Sequence, residues 1–220
     1  MNKIIVISPH ADDETLGGGG MLLKHSENGD KIYWINVTNA KKEFGYSDEL
    51  EIQGIKEIEI VSKYYHCENV YDLRLEPAGL HKYEISFLID SFSRIFHEVQ
   101  PNIVILPYLY DPHSDHRIVF DAAYACTKTF RFPSINKVMC MEIISETDNA
   151  LPVRGFVPNY FVNIDNYLEK KIEILQVYKN EIGISPFPRS IEAVKGLAAY
   201  RAATCNCKYA EAFKILKEIG

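Results

Sequence analysis

The chain has 220 residues, 47% of them hydrophobic and 25% charged, a balance that excludes disordered, collagen-like and coiled-coil proteins. Its 24 Lys and Arg against 30 Asp and Glu leave a formal net charge of −6, so it offers no bulk attraction to nucleic acid or an anionic membrane. No apolar run approaches the roughly 18 residues of a membrane span, and the apolar start, Ile4 to Ile7, is too short for a signal-peptide core. The expectation is a single domain over residues 1–220, cytoplasmic, with no nucleic-acid partner and no transmembrane segment. The five cysteines have no repeated spacing and read as reduced thiols, the Cys205-Asn206-Cys207 pair included.

Residues 3–8 form a continuous β-branched run, the pattern of a strand buried on both faces. Four glycines, Gly17 to Gly20, precede a helical pattern that starts at Met21 and stops near Asn28-Gly29-Asp30. Residues 31–38 read as a second strand. Ile52, Ile55, Ile58 and Val61 recur at helical spacing within 48–65. A third strand over 68–73 leads to an amphipathic helix over 83–99, which Gln100-Pro101-Asn102 ends. A fourth strand follows over 103–106, then a helix over 117–130. Residues 137–145 and 159–164 read as further strands. Asp165 reads as the N-cap of a helix reaching Tyr178, and helices over 190–203 and 210–219 close the chain.

This alternation predicts an α/β fold, Rossmann-like, with a mostly parallel sheet and helices on both faces, because parallel strands need crossover connections. Ligands of such sheets sit beyond the carboxyl ends of the strands. Two loops there carry chemistry. After the first strand, His10, Asp12, Asp13 and Glu14 fall within five residues. Carboxylates so close repel unless a cation or donors offset them, and a His/Asp set suits a borderline divalent ion such as Zn2+. After the fourth strand, Asp111-Pro112-His113-Ser114-Asp115-His116 repeats the theme. Each loop alone could simply cap the next helix; both at one switch point argue for a metal. His10, Asp13 and His116 give three protein ligands, which with water is the make-up of a catalytic zinc site. Asp12 and His113 then remain as free titratable groups, suited to general base and oxyanion stabiliser or acid. Gly17 to Gly20 do not match a G-x-G-x-x-G fingerprint, since Leu22 holds its last position. They predict close backbone packing of the first helix instead.

These segments resemble a known family. PHADDETLGGGG is similar to the (A/P)-H-P-D-D-E motif of the PIG-L/LmbE-type zinc N-deacetylases, and PHSDHR to their H-x-D-H motif. MEIISETDN, VPNYFVNIDNYLEKKIEIL and YAEAFKIL resemble later segments of the family in the same order, so the likeness spans the chain. It implies an LmbE-like fold, with His10, Asp13 and His116 on zinc, Asp12 as general base and His113 as electrophile or acid. It makes Asp115 a group that tunes a histidine. It implies a small-molecule amino-sugar substrate that loses an N-acetyl group, and it leaves room for a homo-oligomer. Ala11 departs from the usual Pro, and no Arg-Arg-x-Glu stretch follows the second strand; Lys56 and Glu57 stand nearest to it.

Among weaker candidates, Arg189 ends the rigid turn Pro186-Phe187-Pro188 ahead of a helix and suits sugar or phosphate groups. Tyr110, Arg74 and Glu142 are further candidate substrate contacts, being close to strand ends, with Glu146 beside Glu142 as another acid that could meet sugar hydroxyls. His/Asp/His would also accept Fe2+, Co2+ or Mn2+. The rival readings are a metal-dependent esterase or phosphoesterase and a non-catalytic sugar-binding module. Phosphoesterases more often bridge two ions, and a pure binder has no use for Asp12 and His113.

Overall fold

A computed structural model of the chain describes residues 1–220. β1 (Lys3–Ser8), β2 (Lys31–Thr38), β3 (Asn69–Leu75), β4 (Ile103–Leu106) and β5 (Lys137–Met141) lie parallel. They alternate with α1 (Asp13–Glu27), α2 (Asp48–Tyr64), α3 (Ile85–Val99) and α4 (Ser114–Ala125). β6 (Tyr160–Asn163), α5 (Leu168–Leu175), α6 (Ile191–Ala202) and β7 (Ala210–Glu218) complete one seven-stranded sheet, in the order β3-β2-β1-β4-β5-β7-β6. Alternate residues of the central strands feed two cores. Ile4, Val6, Ile103 and Ile105 meet α1, α2, α5 and α6 on one face. Ile5, Ile7, Val104 and Leu106 meet α3 and α4 on the other. Both faces of each central strand are therefore apolar, as the continuous runs predict.

β1 and β4 are neighbours, and the chain winds outward from them in opposite directions. That is the switch point at which α/β sheets hold ligands, and both His/Asp segments open there.

The structure corrects four local expectations. α1 starts at Asp13, not Met21, so the four glycines lie inside the helix. Glycine disfavours a helix interior by roughly 1 kcal/mol each, which hides the start from a propensity reading. The reason for them is packing: a Cβ on Gly17 would stand 2.7 Å from Met141 Cγ, and one on Gly20 2.6 Å from Ile164 Cγ2. α4 starts at Ser114 and ends at Ala125, which puts Asp115 and His116 on its first turn. Asp165 does not cap α5; its carboxylate accepts the Lys208 and Tyr209 N–H groups at 2.9 and 2.7 Å. The chain end is a strand, not a helix: β7 inserts antiparallel between β5 and β6. Its Ala, Glu and Lys favour helix, but pairing along two neighbours outweighs a preference of tenths of a kcal/mol per residue.

Candidate metal centre and its cleft

The crevice between β1 and β4 gathers the predicted ligands. His116 Nε2 lies 3.3 Å from Asp13 Oδ2 and 3.3 Å from His10 Nδ1, and His10 Nδ1 lies 3.5 Å from the same Asp13 oxygen. Bonds of roughly 2.0–2.2 Å at tetrahedral angles would hold three donors about 3.3–3.5 Å apart. The donor set fits one divalent ion.

The other nitrogen of each histidine is taken by a carboxylate. His10 Nε2 meets Asp115 Oδ2 at 3.2 Å, and His116 Nδ1 meets Asp111 Oδ2 at 3.0 Å. Such partners fix the tautomer and the ring plane of a ligating imidazole. Both carboxylates are anchored in turn. Asp115 accepts the Ala78 and Leu80 N–H groups at 2.7 and 3.2 Å, and Asp111 the His113 N–H at 2.9 Å. Asp111, fully buried, has a positioning role that the sequence reading left unassigned, although it sits in the same motif. Burial by itself would lower the His10 pKa, but Asp115 and Asp13 reverse the sign and raise it to about 9. Burial would raise Asp13; the His116 charge and hydrogen bonds from both histidines hold it well below the usual carboxylate range instead. A compact charged cluster of this kind is what a bound cation stabilises.

Asp12 and His113 flank the three ligands and line the cleft above them. Asp12 has φ 157° and ψ −28°, a conformation rare outside glycine that costs on the order of 1–3 kcal/mol. It is held by its N–H donating to Glu14 Oε2 at 3.2 Å and by its carbonyl accepting from Leu16 N at 2.8 Å. Glu14 is completely buried and also accepts from Tyr178 OH at 2.7 Å and Thr15 Oγ1 at 2.5 Å. Burial raises the Glu14 carboxyl to about 7. Burial, then the Asp13 charge, pushes the Asp12 carboxyl well above its ordinary value, against the pull of Arg189. His113 is pulled the other way: burial and the His10 and His116 charges lower its pKa.

Arg189 reaches the cleft, yet its guanidinium is already engaged. Nη1 donates to Asp12 Oδ2 at 3.2 Å and Nη2 pairs with Glu181 Oε2 at 3.0 Å. Three of the other weak candidates lie elsewhere. Glu142 binds Arg201 Nε at 2.8 Å and borders a small pocket on the far side of α1. Arg74 pairs with Asp72 at 3.3 Å. Tyr110 is exposed under the Arg154 guanidinium, 4.9 Å from its ring centre. None of them lines the cleft. Its volume is about 390 Å³, and Asn39, Gln53, Glu57, Glu146 and Asn180 complete its walls. Glu146, a candidate from the sequence, does line the cleft, and Glu57 is marked in the sequence only as standing near a family segment. Gln53 and Asn180 carry no signal, because no spacing marks a polar side chain on α2 or in a loop as facing a ligand.

A second trio, His10, His113 and Asp115, also lies within metal-ligand reach. It shares His10 with the first, and the Asp115 carboxylate is already committed to three donors. The geometry offers one ion, not a bridged pair.

Sheet order and cluster together define a class, the α/β proteins that gather a His/Asp/His centre at a β1/β4 crevice. The sequence profile of the PIG-L family, described as GlcNAc-PI de-N-acetylase, matches residues 5–127. The chain belongs to that family. It is similar to the diacetylchitobiose deacetylase of Thermococcus kodakarensis, 23% identical over 238 residues that cover 100% of this chain and 85% of the relative. It superposes on N,N'-diacetylchitobiose deacetylase from Pyrococcus horikoshii with a TM-score of 0.77, at 20% identity, covering 98% of this chain and 84% of that one. It superposes equally, with a TM-score of 0.77 at 15% identity, on GalB, the 4-carboxy-2-hydroxymuconate hydratase of Pseudomonas putida KT2440, covering 100% and 98% of the two chains. The fold thus serves more than one reaction, and the site must decide between them.

Proposed function

We propose that the chain is a metal-dependent N-deacetylase that hydrolyses the acetamide of an amino sugar or sugar conjugate of the N-acetylglucosamine type. The observation that carries this reading is the convergence of His10 Nδ1, Asp13 Oδ2 and His116 Nε2 beside the unliganded Asp12 and His113. Family membership and the activity of the similar diacetylchitobiose deacetylase support the amide and the sugar. A divalent ion on those three atoms, Zn2+ or another first-row ion, would supply Lewis-acid polarisation of the acetamide carbonyl and a more acidic water.

The side chains do the rest. Asp12 takes a proton from the attacking water, helped by the burial that raises its proton affinity. Arg189 keeps that carboxylate oriented. His113 Nδ1 accepts the Asp115 N–H at 3.1 Å, so the neutral ring carries its proton on Nε2. With its pKa lowered, His113 acts as a neutral donor to the developing oxyanion rather than as an imidazolium. Asp12 then passes its proton to the leaving amine, giving acetate and the free amino sugar. Asp115 and Asp111 steady the two ligating rings. The five free cysteines suit a reducing compartment, and we extend the reading to the cytoplasm.

The test is acetate release from N-acetylglucosamine and N,N'-diacetylchitobiose, before chelation, after it, and after zinc is restored. Release that chelation abolishes and zinc recovers is expected. Silence of the zinc-loaded protein toward every N-acetylated sugar would sink the reading.

A further inference from the structure

The cleft above the metal ligands has an unusual charge balance. Arg189 is the one Lys or Arg among its lining residues. Both ends of its guanidinium are occupied, by Asp12 at 3.2 Å and Glu181 at 3.0 Å. Glu57 and Glu146 line the same cleft and form no ion pair with any cation. Glu57 instead accepts from the Gln53 amide at 2.7 Å, and Asn39 and Asn180 complete a wall of neutral donors and acceptors. Lys56 and Lys179 are not among the cleft residues; they line an adjoining trough that shares Gln53 and Glu57 with it, and neither forms an ion pair with Glu57. Resting on the deacetylase reading above, we propose that this wall selects substrate by charge, through Glu57 and Glu146. It admits N-acetylated sugars whose neighbouring groups are neutral or cationic, favours a free ammonium beside the acetamide, and rejects phosphorylated sugars.

The physical reason is the absence of an uncommitted cationic side chain along the wall, away from the metal ligands. A phosphate entering the cleft would need a bidentate or paired partner; the one unpaired nitrogen of Arg189, Nε, is buried, and Nη1 and Nη2 already face Asp12 and Glu181. Amides and hydroxyls can be met by the side-chain amides of Gln53, Asn39 and Asn180, since a primary amide keeps a second N–H and its carbonyl beside the bonds that Gln53 makes to Glu57 and Asn39 to Asp72. An ammonium gains Glu57 and Glu146 as partners while every ion pair already present survives. Like charges brought together at a binding face discriminate more strongly than attractive ones stabilise.

The test measures kcat/KM on the zinc-loaded protein for four N-acetylated sugars. These are N,N'-diacetylchitobiose, its mono-deacetylated form, N-acetylglucosamine 6-phosphate and a nucleoside-diphosphate-linked N-acetylglucosamine. The expected order is amine-bearing, then neutral, then phosphorylated, with at least a tenfold fall to the last two. Added salt should narrow the gap, because it screens charge. Glu57→Gln and Glu146→Gln should each shift the ratio of amine-bearing to phosphorylated substrate by threefold or more toward the phosphate. Phosphorylated sugars turned over as well as the neutral disaccharide would overturn the proposal while leaving the deacetylase reading intact. So would ratios unchanged in both variants. If no sugar releases acetate, the deacetylase reading fails instead. Calorimetric titration with mono-deacetylated chitobiose and N-acetylglucosamine 6-phosphate then decides the charge claim: tighter binding of the amine-bearing sugar, with the gap narrowed by Glu57→Gln, upholds it, and tighter binding of the phosphate overturns it.

Discussion

The floor of the cleft and its outer wall are built by opposite rules. On the floor the carboxylates have assigned partners: Asp13 has His10 and His116, Asp115 two backbone N–H groups and His10, Asp111 a backbone N–H and His116, Glu14 two hydroxyls and the Asp12 N–H. On the wall, Glu57 and Glu146 are short of partners, and the single guanidinium is shared between two acids. A centre that must hold one geometry is satisfied before any ligand arrives. A surface that must recognise a ligand keeps its polar groups available. On the proposed function, the contrast separates the parts that would perform chemistry from the parts that would choose what is presented to it.

The contrast can be broken at the floor first. Glu14 is a buried acid whose folded pKa rises from the ordinary 4.5 to about 7. The folded state therefore binds its proton more tightly. That contribution to stability is present below about 4.5 and lost as pH rises through about 7, a change of roughly 3 kcal/mol. In metal-free buffer, wild type should lose about that much relative to Glu14→Gln between pH 4.5 and 8.5, read from denaturant midpoints; the opposite slope would contradict the burial argument. A smaller effect is expected at Asp111. Asp111→Asn leaves the three ligand atoms in place but unfixes the His116 ring, so zinc affinity measured by competition with a chelator should fall about 10–100-fold. Unaltered affinity would mean that the 3.0 Å contact to His116 Nδ1 orients nothing. The smallest effect concerns a residue outside both regions. Glu142→Gln breaks the largely buried pair with Arg201 yet should leave kcat/KM for a neutral sugar within about twofold, because neither residue lines the cleft; its cost falls on stability instead. A large loss of activity would return Glu142 to the substrate site.

Where sequence alone was legible, it was because neighbouring residues carried the message. The strand, motif and helix order after Ile7 and after Leu106 put both His/Asp clusters at the β1/β4 crevice, and spacing alone marks His10, Asp13 and His116 as a converging set. What it missed depends on residues distant in the chain. Gly17 and Gly20 lie within a helix because Met141 and Ile164 press against it. Residues 210–218 extend because a gap between β5 and β6 awaits a strand, while their composition favours a helix. Arg189 was singled out for a substrate and meets Asp12 first. Gln53 sits on a helix whose apolar stripe is legible while its polar edge carries no spacing signal.

The central claim is that Asp12 does chemistry beside a metal held by its neighbours. It is tested most directly with Asp12→Asn: zinc content and acetate release from N,N'-diacetylchitobiose, measured on the same preparation beside wild type. The account predicts one zinc per chain in both proteins and a fall in kcat of about 100-fold or more in the variant, the span of general-base catalysis. An active variant with its zinc in place would contradict it.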